Sequence, residues 1–331
     1  MDINLKFILF NLFFLFLGTF IILFSKNTNS RFIIFDKPDN IRKIHSKPTP
    51  LSGGIVLYLF ITFALIFFYS LTIFSLKITG ILIFLYTIFF ILGFIDDKSS
   101  LSPIRKTLIV LFSLFVILPI DQDMIVKGLL FKDLNIFINL NQAAIFFTVL
   151  SIYFFYNLLN FSDGLNGITL SLCIVWTIIF LSNNNFNNYF LLSALICMFL
   201  VLLFNLMGVL FIGNSGSSFL SIFFSTLIII DYNQTSILRC DEIFLLMFLP
   251  AYDSLRVSFE RLVKGVSPFL PDTTHYHHLL MKIIDKKYIF IIYTILNFTP
   301  FILSKFIATY LSLIIGTVIY IYSLHILKKN N

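Results

Sequence analysis

Charged residues are scarce in this chain. Asp, Glu, Lys and Arg make up only 12% of it, whereas about a quarter of a typical soluble domain is charged. Apolar residues fill their place: 59% of the chain is hydrophobic, Phe alone occurs 44 times, and the mean hydropathy is +0.98. This balance excludes an ordinary soluble globular domain and places the chain in the membrane class.

Cysteine is also rare. Cys173, Cys197 and Cys240 have no metal-like spacing, and small buried residues are the usual role for such cysteines. No cysteine or acidic partner stands at zinc-like spacing from the histidines, which argues against a zinc site. The net charge of +7 is explained by membrane topology and by attraction to anionic lipid, and nothing in the sequence indicates nucleic-acid binding.

Apolar runs of spanning length recur along the chain. A membrane-spanning helix needs about 20 apolar residues. The first run, Leu5 to Phe24, is too long for the core of a signal peptide and lacks a small-residue cleavage site, so we interpret it as a transmembrane helix. The candidate spans number eleven: 5–25, 51–71, 76–95, 105–121, 142–160, 165–182, 189–211, 217–231, 242–260, 288–304 and 306–327. We therefore predict an all-α polytopic membrane protein, a single domain over 1–331 built as a bundle of about 10–11 transmembrane helices.

The distribution of basic residues sets the orientation. With the N-terminus outside, the loops after the odd-numbered spans and the C-terminal tail hold sixteen Lys and Arg, and the opposite face holds six. The positive-inside rule makes the richer face cytoplasmic. The inner loops also carry the unusual polar residues, so we predict an active-site cleft on the cytoplasmic face of a bacterial inner membrane.

Asp96 and Asp97 directly follow the third span. Two adjacent carboxylates at a membrane boundary are costly and repel each other, so they persist where a metal, a base function or a nearby cation offsets the cost. The alternative is a solvated helix end with Lys98 beside it.

Polar residues and glycines interrupt the end of the fifth span, in the segment 157–167. Asn157 and Asn160 lie on one helix face, and Asp163 continues that face if the helix persists. Gly164 and Gly167 permit a close backbone approach or a break. Amide and carboxylate oxygens suit a hard cation such as Mg²⁺, and amide donors suit a phosphate. The alternative is a helix C-cap with ordinary loop polarity.

A loop of small residues, 213–218, follows the seventh span. Backbone N–H groups of small residues just before a helix can hold a phosphate. The alternative is a simple turn with a Ser cap.

Histidines are clustered after the ninth span. Three of the five in the chain fall within four residues, as His275, His277 and His278. Such a group can bind a diphosphate, act as acid or base, or ligate a metal; the alternative is a surface cluster without function. The four polar segments follow spans three, five, seven and nine. All four thus fall on the same predicted face, which favours a shared function over four separate accidents.

The ordered motifs resemble the polyprenyl-phosphate N-acetylhexosamine-1-phosphate transferases of the glycosyltransferase 4 family. The resemblance covers most of the chain, from Asp36 to about Leu280. The segments that carry it are Asp36–Pro38, Arg42–Ile44 with His45, Pro48–Gly54, Asp96–Asp97, Asn157–Gly167, Gly213–Ser217, Tyr252–Ser254 with Arg261, and His275–His278.

The resemblance implies a bundle of ten or eleven helices with a cytoplasmic active site. The implied reaction moves a HexNAc 1-phosphate, such as GlcNAc 1-phosphate, from a UDP-sugar donor to the acceptor undecaprenyl phosphate and releases UMP. The product begins a cell-surface polysaccharide. The first loop and the histidine segment look closer to the O-antigen and teichoic-type branch than to the phospho-N-acetylmuramoyl-pentapeptide transferase of peptidoglycan synthesis, which stays an alternative.

Residue roles follow as expectations. By the resemblance, Mg²⁺ would be held by Asn160 and Asn214. We expect Asp96 to act as base or orienting group for the lipid phosphate, Asp97 to hold nearby charge or the metal, and Asp163 to be the alternative nucleophile of a covalent route. We expect substrate binding by Lys43, His45, Asn157, Arg261, His275, His277 and His278, with help from Lys264.

Asn214 departs from the family pattern, which usually has Asp there. An amide offers one neutral oxygen, so Mg²⁺ binding should be weaker. An impaired family member that binds its substrates but turns over poorly is therefore an alternative. Lesser departures are Asn166 and Thr273. A transporter is disfavoured because transporters place polar sites near the midplane. A homodimer is left open by the sequence.

Overall fold

The computed structural model describes residues 2–27, 33–36, 47–134, 136–182, 188–235, 237–265 and 274–329. Of the residues in these ranges, 78% are helical. The helices are α1 Ile3–Asn27, α2 Gly53–Phe67, α3 Leu76–Ser99, α4 Pro103–Ile117, α5 Ala144–Ser162, α6 Ile168–Ser182, α7 Asn188–Leu206, α8 Gly213–Gln234, α9 Cys240–Leu246, α10 Phe248–Val263, α11 Tyr276–Leu280, α12 Lys286–Leu303 and α13 Thr309–Lys329. Two antiparallel ribbons complete it: β1 Phe35–Asp36 with β2 Thr49–Pro50, and β3 Gly128–Leu130 with β4 Phe137–Asn139.

Within the described ranges, eight helices are long and apolar enough to cross a membrane. They are α1, α3, α4, α5, α7, α8, α12 and α13, and the shorter apolar helices α2 and α6 accompany them. Each of the eleven predicted spans corresponds to helix in the structure. The prediction of an all-α polytopic membrane protein is confirmed.

The predicted span 242–260 is wrong as a continuous helix, because it breaks at Met247 into α9 and α10. A buried side chain from α12 explains the break. Asn297 donates from Nδ2 to the Leu246 carbonyl at 2.8 Å and accepts the Leu249 N–H at 3.0 Å. An amide inserted between these backbone groups replaces the helical hydrogen bonds there, a common cause of helix kinks.

The fold divides into two compact units, each made of two chain segments. The first unit comprises Met1–Ile117 and Thr169–Thr226, and the second comprises Leu118–Ile168 and Leu227–Asn331. Helix α8 contributes to both units.

In the first unit, α2 packs mainly against α7 and α3, and α1 covers α2 and α7. Glycines allow the closest approaches. A Cβ added to Gly54 would lie 2.4 Å from the N atom of Gly216, and one added to Gly93 would lie 2.2 Å from the carbonyl oxygen of Asn214. Small residues let helices approach closely in membrane proteins. These contacts seat the ends of α2 and α3 on the first turn of α8.

In the second unit, α5 packs on α10, and α12 packs on α9, α10 and α13. A buried acid holds one end of this unit together: Glu242 accepts from Lys132 Nζ at 3.1 Å and from Lys305 Nζ at 2.7 Å. The β3–β4 hairpin precedes α5, and the segment with the histidines follows α10.

Candidate active site

Asp97 fixes the start of α8 in the first unit. Its carboxylate accepts the N–H of Asn214 at 2.8 Å and the N–H of Ser215 at 2.9 Å. The residue before them, Gly213, has φ +67, the left-handed conformation that glycine adopts without steric cost. Asp97 thus caps a neighbouring helix, and its charge is favourable at the positive end of the helix dipole.

The loop 213–218 uses its leading N–H groups inside the protein. Asn214 and Ser215 donate to Asp97, and Gly216 donates to the Ile212 carbonyl at 3.1 Å. The suggestion that these backbone groups hold a phosphate is therefore wrong for these three residues, because their hydrogen bonds are already made. The side chain of Asn214 is partly exposed.

Asp96 is buried at the turn from α3 to α4. Its carboxylate accepts Lys106 Nζ at 2.9 Å and the Leu101 N–H at 2.8 Å. Ser100 makes the turn, with φ +48. The negative charges of the two adjacent aspartates are therefore stabilised separately, that of Asp96 by a lysine and that of Asp97 by a helix N-terminus. A solvated helix end does not describe this pair.

The end of the first loop docks beside the glycine loop. Phe211 N donates to the Pro50 carbonyl at 3.0 Å, and the N–H groups of Gly53 and Gly54 donate to the carbonyls of Phe211 and Ile212 at 3.1 Å each. Three motifs that are far apart in sequence, Pro48–Gly54, Asp96–Asp97 and Gly213–Ser217, thus meet within the first unit. Lys43 and His45 lie outside the described residues.

In the second unit, the end of α5 meets the histidine segment. Asp163 terminates α5, and Gly164 follows it. A Cβ added to Gly164 would lie 2.4 Å from Nε2 of His277, so any larger residue requires this ring to shift. The structure therefore brings together two motifs separated by more than a hundred residues. On the same helix, Asn157 Nδ2 donates to the Tyr153 carbonyl at 2.8 Å, and Asn160 is partly buried.

Asp253 orients the histidine segment from α10. Its Oδ2 contacts His275 Nδ1 at 2.8 Å and accepts the Tyr276 N–H at 3.0 Å, while its Oδ1 accepts Arg256 Nη2 at 2.7 Å. A carboxylate partner makes Nδ1 the donor, which fixes the ring orientation and leaves Nε2 on the opposite side of the ring. Asp253 itself is buried.

The imidazoles form one continuous group. The rings of His275 and His277 are parallel with centroids 5.7 Å apart, and the rings of His277 and His278 lie 4.4 Å apart. Phe161 of α5 packs 5.7 Å from His275. All three predicted histidines therefore lie together beside the end of α5, with His277 buried and the other two partly exposed.

Tyr276 anchors this segment to α13. Its hydroxyl donates to Ser323 Oγ at 2.9 Å. Burial raises the pKa of Tyr276, so the hydroxyl stays protonated and keeps donating at neutral pH. Arg261 is buried near the end of α10, and Lys264 is exposed just after it.

Two further functional candidates, Lys106 and Asp253, had no individual role assigned from the sequence, although Asp253 lies in the motif Tyr252–Ser254. Lys106 counted only as a topological charge, since its pairing with Asp96 depends on the turn at Ser100. Asp253 had a readable signal: Asp253 and Arg256 stand three apart in an apolar predicted span, and ionisable residues there are usually paired and functional.

The fold and the two clusters define a polytopic membrane protein whose unusual polar residues gather at helix ends. The family model described as glycosyl transferase family 4 matches residues 79–231. That range contains the paired aspartates, the segment 157–167 and the glycine loop.

Curated proteins show the same similarity. The undecaprenyl-phosphate alpha-N-acetylglucosaminyl 1-phosphate transferase of Escherichia coli (strain K12) is 26% identical over 277 residues, 80% of this chain and 73% of that protein. The protein of the same name from Salmonella typhi is 23% identical over 281 residues, 81% and 74%. The probable undecaprenyl-phosphate N-acetylglucosaminyl 1-phosphate transferase of Bacillus subtilis (strain 168) is 26% identical over 260 residues, 74% and 69%. The family resemblance indicated by the motifs is confirmed.

Proposed function

We propose that this protein transfers a HexNAc 1-phosphate, with GlcNAc 1-phosphate as the first choice, from a UDP-sugar to undecaprenyl phosphate. UMP is released at the cytoplasmic face of a bacterial inner membrane, and the lipid-linked product begins a surface polysaccharide. One observation carries the proposal: the first unit gathers three motifs of the resemblance around Asp96, Asp97 and the start of α8. The names of the curated relatives supply the substrate class.

In this proposal an oxygen of the lipid phosphate attacks the β-phosphorus of the donor. A new phosphorus–oxygen bond forms, the bond between the β-phosphorus and the bridging oxygen breaks, and UMP leaves. The second pKa of a phosphate is near 6, so the acceptor needs little general-base help at neutral pH. Asp96 and Lys106 then act by orienting the acceptor and by electrostatics. Covalent catalysis through Asp163 is the competing route.

The histidine segment is the proposed donor site. His275, His277 and His278 would bind the diphosphate or uridine end, assisted by Arg261 and Lys264. The support is the arrangement itself: Asp253 sets the His275 ring, and two histidines of the row are partly exposed beside Asp163.

Mg²⁺ is the proposed cofactor. Within the described residues no group of three or more His, Cys, Asp or Glu is arranged to hold a metal. Amide and carboxylate oxygens suit Mg²⁺. In the first unit the backbone N–H of Asn214 donates to the Asp97 carboxylate, which brings the two residues together, and in the second unit Asn160 precedes Asp163 by three residues. The bound ion would offset the phosphate charges.

A transfer assay tests the proposal. The chain in nanodiscs is given Mg²⁺, undecaprenyl phosphate and a panel of radiolabelled UDP-HexNAc donors. We expect label in the lipid fraction and one UMP per transfer with at least one donor. The His275→Ala variant serves as the matched negative. If the protein still binds UDP but transfers no label from any donor of the panel, the result would instead indicate the impaired family member that Asn214 suggests.

A further inference from the structure

The β3–β4 hairpin lies at the end of the second unit that is opposite the histidine segment. It is tied to the beginning of α5, since Val126 N donates to Thr148 Oγ1 at 2.9 Å, whereas Gly164 and His277 meet at the end of α5. A helix of 19 residues is about 28 Å long. The hairpin therefore stands across the thickness of a membrane from the histidines.

Polar contacts hold the hairpin rigidly against the helices. The Tyr232 hydroxyl accepts the Leu130 N–H at 2.7 Å and donates to the Gly128 carbonyl at 3.0 Å. Lys132 Nζ donates to the Ser304 carbonyl at 2.7 Å, and the carboxylate of Asp133 accepts from Thr309. Because these contacts fix the hairpin on two sides, its exposed side chains stay exposed to the solvent or lipid around the protein.

Large apolar side chains form much of the exposed surface of this hairpin, together with the exposed Lys132, Asp133 and Asn139. The apolar members, which we call the apolar hairpin surface, are Leu134, Ile136, Phe137, Ile138 and Phe306. Phe306, which is 82% exposed, lies in the turn between α12 and α13, where Ser304 and Thr309 contact Lys132 and Asp133 of the hairpin. In water, side chains of this size are unfavourable to leave exposed as one patch.

Both faces of β4 are apolar and exposed. Phe137 is 59% exposed and its neighbour Ile138 is 48% exposed, and successive residues of a strand point to opposite faces. A protein partner would cover one face of the strand, whereas lipid can surround both. The hairpin leads within a few residues, past the exposed Asn139, Asn141 and Gln142, into α5, a helix long and apolar enough to cross a membrane, on which Phe146 and Leu150 are exposed.

We infer that the β3–β4 hairpin is a lipid-binding element, seated in the membrane interface on the side opposite the histidine segment. The apolar hairpin surface enters the acyl region, as apolar side chains of interfacial segments do. Lys127, exposed one residue before β3, lies where a basic side chain can contact lipid phosphates. This placement requires only the fold and holds whether or not the chain is a transferase.

Tryptophan quenching tests the seating. The chain has a single Trp, Trp176, which is buried, so Trp176→Phe removes all native tryptophan fluorescence. Single probes are then added as Phe137→Trp and Ile138→Trp, one on each face of β4. Phe146→Trp on α5 is the positive control, and Gln122→Trp, exposed and polar before the hairpin, is the negative control. Nanodiscs holding one copy each are made with phosphatidylglycerol and 6,7-dibromo-phosphatidylcholine.

We expect blue-shifted emission and strong quenching at 137, 138 and 146, at least twofold above that at 122. Quenching on only one face of β4 would overturn the inference in favour of a protein partner or a second copy on the other face. If the probes at 137 and 138 show the same red-shifted, unquenched emission as the probe at 122, the inference is overturned in favour of a water-exposed hairpin. If a Trp variant does not fold, a spin label attached to Leu134→Cys answers the same question. Its accessibility to oxygen, which concentrates in lipid, is compared with its accessibility to a nickel chelate, which stays in water.

Discussion

At the scale of single residues, buried charge at the histidine segment is arranged to orient rather than to react. Asp253 receives hydrogen bonds from Arg256 and Tyr320 and also contacts the ring of His275. Each of its oxygens is thereby engaged inside the protein. Under the proposed function, Asp253 is therefore a positioning residue that acts through His275.

Asp253→Asn is expected to lower kcat by about 10- to 100-fold, by analogy with the loss of carboxylates that orient metal-bound histidines. The amide keeps the shape of the side chain but no longer fixes Nδ1 as the donor. A purely structural role would leave the pH dependence of kcat unchanged, whereas loss of positioning changes it. Asp285→Asn, at an exposed helix cap, is the matched control, and thermal unfolding shows whether the fold survives.

Asn214→Asp is expected to lower the Mg²⁺ concentration for half-maximal activity. At 4 Å and an effective dielectric of 20, one added charge is worth about 4 kcal/mol per unit of opposing charge, so a shift of tenfold or more is reasonable. Titration of both proteins with Mg²⁺ measures it. Identical curves would show that another carboxylate compensates, and activity in the variant alone would identify an impaired natural protein.

Gly164 is the residue where two motifs touch. Gly164→Ala is expected to displace the His277 ring, because the new Cβ would lie 2.4 Å from Nε2, and transfer activity should fall at least tenfold. Gly80→Ala is the matched control, since a Cβ at Gly80 meets nothing within 4 Å. Equal activity of the two variants would remove the contact with His277 from the site.

At the scale of elements, a helix end is built by a residue of another helix. Asp97 lies in α3 yet caps α8, so the first turn of α8 is held in place by the same side chain that the resemblance places in the site. Under the proposed function, stability and chemistry are coupled at this residue, and substitutions can separate them.

Asp97→Ala is expected to destabilise the protein by about 1 to 2 kcal/mol, as the loss of a helix cap does. Asp97→Asn keeps an acceptor oxygen but removes the charge, so it should lose activity while retaining most of the melting temperature. Lys98→Ala, exposed beside it, controls for surface effects. A fully active Asp97→Asn variant would confine Asp97 to the capping role.

At the scale of the whole molecule, the membrane fold is confirmed, while its orientation rests on the basic residues of the sequence. Cysteine labelling with an impermeant reagent in intact cells tests it, in a Cys240→Ser background with the buried Cys173 and Cys197 retained. Ser100→Cys and Lys264→Cys should be protected, and Gln122→Cys should be labelled. The reverse pattern would move the proposed active site to the outer face.

The sequence by itself determined the class of the protein and the approximate place of its helices. Long apolar runs have only one stable form in lipid, because a helix satisfies every backbone polar group within its own segment. The motifs, read in order, also gave the family resemblance and the grouping of His275, His277 and His278. These features are local or compositional, so they can be read without knowing how the chain folds back.

Tertiary structure alone decided which partners those residues meet. The interruption at Met247 depends on Asn297, fifty residues further along the chain. The use of Asp97 as a cap for α8 depends on the close approach of Gly93 to Asn214, and the pairing of Asp96 with Lys106 depends on the turn at Ser100. Hydrogen bonds and close contacts such as these act over about 3 Å, so residues far apart in sequence acquire them only when the helices pack.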